Sequence, residues 1–188
     1  TTLFLVTFAF SVSSQERKSE LKLGIGVAST NFIINSMSDF LSVGLTGGTY
    51  STGNKVFSGS YILNYKHSVS RSLSLGASLS YCNVNADILL NNEKQGYYKN
   101  NYFTLAPELD LRYFSLGAFS MYGNLGVGAT WCKRYNKLNN QDKNSDNNVF
   151  VNFQVNPVGI KVGNNFGAFA EAGFGYKGII NAGLFCKF

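Results

Sequence analysis

From residue 21 to the last residue, apolar and polar side chains alternate with a period of two. That is the spacing of a β-strand, whose successive side chains point to opposite faces. Leu21, Leu23, Ile25 and Val27 oppose Lys22, Gly24 and Gly26, and Phe57, Tyr61, Leu63 and Tyr65 oppose Ser58, Ser60, Asn64 and Lys66. The pattern returns in Leu73 to Tyr81, in Phe103 to Tyr113 (against Tyr102, Thr104, Glu108, Asp110 and Arg112) and in Met121 to Trp131. It recurs again in Val149 to Val155, in Phe166 to Tyr176 and in Ile180 to Phe188, where only Phe185 interrupts the polar set. Eight strands are expected.

The connections set their order. Ser68 to Ser72, Ser115 to Ala118 and Gly163 to Asn165 are short; Asn35 to Asn54, Leu90 to Gly96 and Asn136 to Asn148 are longer and polar; Lys177-Gly178 reads as a tight turn. Short links alternating with long ones describe an antiparallel up-and-down meander. An even number of strands returns both ends of the sheet to one side.

Composition decides which face points outward. Charged residues are 14% of the chain and aromatic residues 15%, with 20 Gly and only 2 Pro. A soluble domain carries roughly 25% charge. The polar faces gather Glu108, Asp110, Arg112 and Glu171 on one side of the sheet, where they can neutralise one another; an apolar ligand cavity would not accept them. The apolar faces place aromatics towards their ends: Phe103 and Tyr113, Phe119 and Trp131, Phe166 and Tyr176. These are the marks of two aromatic girdles around an aliphatic band, so the expectation is an all-β, eight-stranded antiparallel transmembrane β-barrel surrounded by lipid. Lipid cannot satisfy an open sheet edge, which requires the barrel to close. No run approaches the roughly 20 apolar residues of a membrane-spanning helix. The apolar stretch Leu3 to Phe10, followed by Ser11, Ser13 and Ser14, reads as the remnant of a secretory signal. Cleavage is expected after Ser14, dividing the chain into residues 1–14 and a barrel domain of 15–188.

The segment Gly183-Leu184-Phe185-Cys186-Lys187-Phe188 ends in Phe, with apolar residues at every second place before it. It resembles the C-terminal signal by which the outer-membrane assembly machinery recognises barrel precursors, and Phe188 and Leu184 carry the likeness. Residues 20–188 as a whole are similar to small eight-stranded outer-membrane barrels of the OmpX-like and PorT-like type. Asn156-Pro157-Val158-Gly159 and Phe169 to Tyr176 have a PorT-like look as well. The resemblance implies residence in the cell outer membrane of a Gram-negative bacterium, with the assembly machinery as partner during biogenesis. It covers a scaffold and transfers no active site.

Candidate chemistry is sparse. The single histidine, His67, falls on the outward face near a short turn, away from where a lipid A-modifying enzyme would need it. Glu108 and Glu171 both sit at mid-lumen. Paired carboxylates can act as acid and base, but an eight-stranded interior is filled by side chains, so a salt-bridged plug with Arg112, and with Lys66 or Lys22, is the stronger reading. Three cysteines (Cys82, Cys132 and Cys186) show no metal spacing, and Cys82 and Cys132 lie on strands that are not neighbours. Lys133 and Arg134, beside Trp131 and Tyr135, are placed to meet lipid phosphates or to snorkel. The net charge of +6 is scattered, which argues against a nucleic-acid partner. No catalytic residue, cofactor or metal is expected. The functional expectation is a non-enzymatic barrel acting as a structural or surface-interaction protein, with its extracellular loops meeting a protein partner. The alternatives are a PorT-like accessory of a secretion or assembly complex, a narrow pore, and a lipid A-modifying enzyme.

Overall fold

The computed structural model describes residues 18–45, 50–90, 93–138 and 144–188. The expected signal remnant at 1–14 and its cleavage site lie outside the described residues. The chain forms eight strands: β1 (Ser19–Val27), β2 (Tyr50–Ser68), β3 (Leu73–Leu90), β4 (Glu93–Leu116), β5 (Phe119–Leu138), β6 (Asn144–Gly163), β7 (Phe166–Gly175) and β8 (Ile180–Lys187). One helix, α1 (Thr30–Leu45), follows β1. The strands make a closed barrel in sequence order, and β1 pairs antiparallel with both β2 and β8. Closure leaves no free edge around the ring that all eight strands share; above it, β2 and β6 pair on one side only. At the seam, the Ser19 N–H donates to the Phe188 carbonyl and the Phe188 N–H to the Ser19 carbonyl. The end of the barrel that holds Ser19 and Phe188 is termed the lower end.

The wall is uneven. β1, β7 and β8 have 9, 10 and 8 residues, whereas β2 to β6 have 18 to 24. At about 3.3 Å per residue, β8 is roughly 26 Å long and β4 roughly 79 Å. Five strands therefore rise well above the other three as a tall wall over the upper mouth.

Apolar and polar residues have the reverse of a soluble protein's distribution. Outward side chains are apolar and exposed, as in Leu23, Leu125, Val151 (78% exposed) and Leu184. Inward ones are polar and buried, as in Lys22 (1%), Asn64, Gln154 and Glu171. The outward face also changes character sharply along the tall wall. Tyr61, Tyr81, Phe103 and Trp131 are successive cross-strand partners and form one aromatic row. The next outward row above it is Asn83, Asn101, Lys133 and Asn147, and the row after that is Asn85, Lys99, Tyr135 and Ser145.

The long connections expected at 35–54, 90–96 and 136–148 are largely replaced by α1 and by the upper ends of β2, β4, β5 and β6, and the β7–β8 turn differs as well. Residues 35–54 were read as a polar loop, but most of α1 lies there. β1 stops at Val27, Ala28 takes a left-handed backbone conformation (φ 54°), and the chain turns over the mouth into a helix capped by Ser29, whose hydroxyl accepts from the Phe32 N–H at 3.4 Å. Lys177, expected in a tight surface turn, and Tyr176, expected among the outward aromatics at the end of its strand, both fold into the lumen instead and are almost wholly buried. Gly175 (φ 150°) and Gly178 (φ 124°) flank this inward fold, and a Cβ on Gly178 would lie 2.2 Å from the Val27 carbonyl oxygen.

Candidate functional site

The interior has two storeys. In the lower one, alternation aims Glu20 and Lys22 of β1, Lys66 of β2, Glu108 and Asp110 of β4, Lys161 of β6 and Glu171 of β7 at the axis, and the β7–β8 turn adds Lys177. The Lys22 ammonium lies 3.3 Å from Asp110, 3.1 Å from Glu171 and 3.1 Å from the Tyr122 hydroxyl. Lys66 pairs with Asp110, and with Glu108 at 2.9 Å. Lys177 lies 2.7 Å from Glu108 and 3.6 Å from Glu171, and Lys161 pairs with Glu20. Four lysines thus meet four carboxylates, and the excess positive charge of the chain lies elsewhere.

Neutral groups complete the network. Asn124 donates to Glu108 (3.0 Å) and Asp110 (2.8 Å), Asn156 donates to Glu171 (2.7 Å), and the Tyr122 hydroxyl donates to Glu171 (2.6 Å). The Lys22 ammonium also sits over the Tyr122 ring, 4.4 Å from its centroid, and 5.2 Å from that of Phe169. Buried charge persists when it is both paired and hydrogen-bonded, and here both conditions are met. Lys22, Lys66, Lys177, Gln154, Glu171 and Tyr176 are all under 2% exposed, so the lower lumen is filled.

Of the residues singled out from sequence, Glu108, Asp110 and Glu171 come together in this network, while Arg112 does not join it. Arg112 shares their strand phase but stands one inward position below Asp110, next to an irregularity in the β4–β5 register. Its guanidinium leaves the axis and donates to the Arg71 carbonyl at 3.1 Å in the β2–β3 turn. Lys66 and Lys22 supply the counter-charge together with Lys161 and Lys177, which sequence reasoning missed. Lys161 escaped because the β6–β7 register shifts between Val155 and Val158: Pro157 and Val158 both face out, and inward positions change from Gln154 and Asn156 to Gly159 and Lys161. The Pro in mid-strand was the available signal.

His67 is exposed at the lower rim, its Nδ1 3.2 Å from the Ser19 hydroxyl. Cys82, Cys132 and Cys186 are free thiols. Phe185, the exception in its strand, is buried under the lower end beside Lys161. Leu184 and Phe188 are exposed on the outer face of the seam strand. No group of His, Cys, Asp and Glu among the described residues is arranged to hold a metal ion.

The upper storey is a cup of about 480 Å³ between α1 and the tall wall. Its floor is the turn into the helix: Thr30 donates to Asn152 (3.1 Å), Asn152 to Asn31 (3.0 Å), and Asn31 to the Cys82 sulfur (3.7 Å). Asn100 donates to Asn35 at 2.8 Å, and Asn35 in turn donates to the Tyr102 hydroxyl. Tyr98, Tyr102 and Phe150 form the aromatic side of the wall, Tyr102 and Phe150 meeting edge to face at 6.5 Å. Arg134, Asn136 and Asn148 line the opening. At the top of the wall, Lys94 (2.7 Å) and then Asn54 (3.2 Å) donate to Asp87 and hold its carboxyl below the usual range.

A scan against protein-family models finds none that matches the chain, and a search of curated proteins finds no match.

Proposed function

We propose that this chain is an outer-membrane β-barrel whose sealed lumen serves as a scaffold and whose working surface is the upper rim, where it acts as a structural or surface-interaction protein. The observation that carries this reading is the inverted distribution of residues: an apolar, aromatic-edged exterior around an ion-paired interior. Water on the outside would favour the opposite arrangement. The aromatic row Tyr61-Tyr81-Phe103-Trp131 then marks the upper lipid boundary, and Asn101, Lys133 and Asn147 in the row above it lie in water. The short strands have a length suited to the bilayer, since a tilted strand crosses it with about 9–11 residues. Tyr97, Lys99, Tyr135 and Lys137 would stand in the headgroup layer or above it.

The filled lower lumen favours a scaffold over a narrow pore. The placement of His67 at the lower rim gives no support to lipid A chemistry, which would need its histidine near the outer leaflet. The exposed Leu184 and Phe188 on the seam strand are available to an assembly machinery that reads the last strand.

The test is electrophoresis of the chain, expressed without residues 1–14 and refolded into detergent micelles, with and without boiling. A closed membrane barrel is expected to run at a different mobility when unboiled and to show β-rich circular dichroism. Solubility without detergent and identical mobility under both conditions would overturn the reading.

A further inference from the structure

We propose that the upper cup is a binding site for an acidic carbohydrate, with a sugar carboxylate held by Arg134. The proposal rests on the upper rim being the working face and adds the chemistry that this face recognises.

A cavity of about 480 Å³ falls in the range of ordinary ligand sites, about 300–1,000 Å³. Its lining has an unusual balance of chemistry. Amides dominate the polar part; Asn31 and Asn35 are engaged within the protein, while a free amide offers a donor and an acceptor side by side, which is what neighbouring sugar hydroxyls require. The side chains of Asn136 and Asn148 make no hydrogen bond among the described residues, and the Asn100 Oδ1 is buried without a partner. Tyr98 and Phe150 offer ring faces and edges against which the C–H face of a pyranose can pack.

Charge selects the kind of sugar. Among the described residues, Arg134 is the only ionised side chain lining the cup. Asp146 stands opposite it in the strand register, yet lies outside the lining and forms no ion pair with it. A guanidinium binds a carboxylate through two parallel hydrogen bonds. A site with one such fork, surrounded by amides and rings and with few aliphatic groups, suits a uronic acid unit in a glycan better than an apolar peptide. The lower storey, where every lysine is already matched to a carboxylate, has no such spare charge.

The test is calorimetric titration of the full chain in detergent micelles with tetragalacturonate, with its fully methyl-esterified form, and with a short peptide ending in a free carboxylate. The expected result is saturable binding of tetragalacturonate that weakens at least tenfold on methyl esterification and at least tenfold in Arg134→Gln. Tyr98→Ala is expected to weaken it as well. Absence of binding, equal affinity for the acid and the ester, an unchanged Arg134→Gln variant, or preference for the peptide would each overturn the proposal. The boiled and unboiled gel on the same samples separates the two readings. Binding without a mobility shift would sink the membrane barrel and leave the site standing; a shift without binding would do the reverse.

Discussion

The two storeys of the interior share strands β4 to β6 but solve different problems. Below, four lysines and four carboxylates are packed against one another, with Tyr122, Asn124 and Asn156 adding hydrogen bonds to the carboxylates. Above, asparagines and tyrosines surround open space, and among the described residues a single guanidinium stands at the lip. Full charge is used where the interior is closed, because a buried pair with good geometry has no better alternative nearby. Neutral amides are used where it is open, because they can exchange one partner for another at little cost. The lower storey is suited to holding the barrel in shape and the upper one to recognition.

Truncations in the two storeys should therefore differ most. Glu108→Ala leaves Lys66 and Lys177 without their shared carboxylate and is expected to destabilise the barrel by about 3–5 kcal/mol, the cost of breaking a buried pair. Asn148→Ala in the cup is expected to stay within about 0.5 kcal/mol of the parent. Urea titration followed by the unboiled gel band measures both. Equal midpoints for the two variants would erase the distinction between the storeys.

A smaller effect sharpens the same contrast on the outer face. Val127→Arg, in the middle of the apolar band, is expected to cost about 2–4 kcal/mol when the barrel is refolded in bilayers, and Asn147→Arg, above the aromatic row, about 0–1 kcal/mol. Similar costs at both positions would remove the boundary drawn at Trp131.

The barrel was legible in the sequence because period-two alternation survives wherever a strand separates two unlike environments. Ile180 to Phe188 and Leu73 to Tyr81 show it directly. The alternation could not reveal a change of phase, so Lys161 was lost at the Pro157 irregularity and Arg112 was placed with charges it never reaches. Nor could it reveal a turn that folds inward: Lys177 looked like surface because a Lys-Gly pair usually is. Helix α1 had a signal that was passed over, since Ile33, Ile34, Met37, Phe40 and Leu41 recur at helical spacing after Ser29. The polar residues scattered among them made the segment look like a loop. The cup escaped for a deeper reason. It is assembled from a helix and three consecutive strands that follow it much later in the sequence, and asparagine carries no pattern that marks a site.

The inverted arrangement can be tested through one side chain, because Trp131 is the only tryptophan in the chain and lies on the outer face at the proposed lipid boundary. The chain would be refolded into bilayers of phospholipids brominated either near the headgroup or deep in the acyl chain, and Trp131 fluorescence recorded. The account predicts blue-shifted emission, quenched most strongly by the shallow bromines and poorly by aqueous iodide. Emission at the wavelength of water-exposed tryptophan, quenched by iodide and untouched by either lipid, would contradict it.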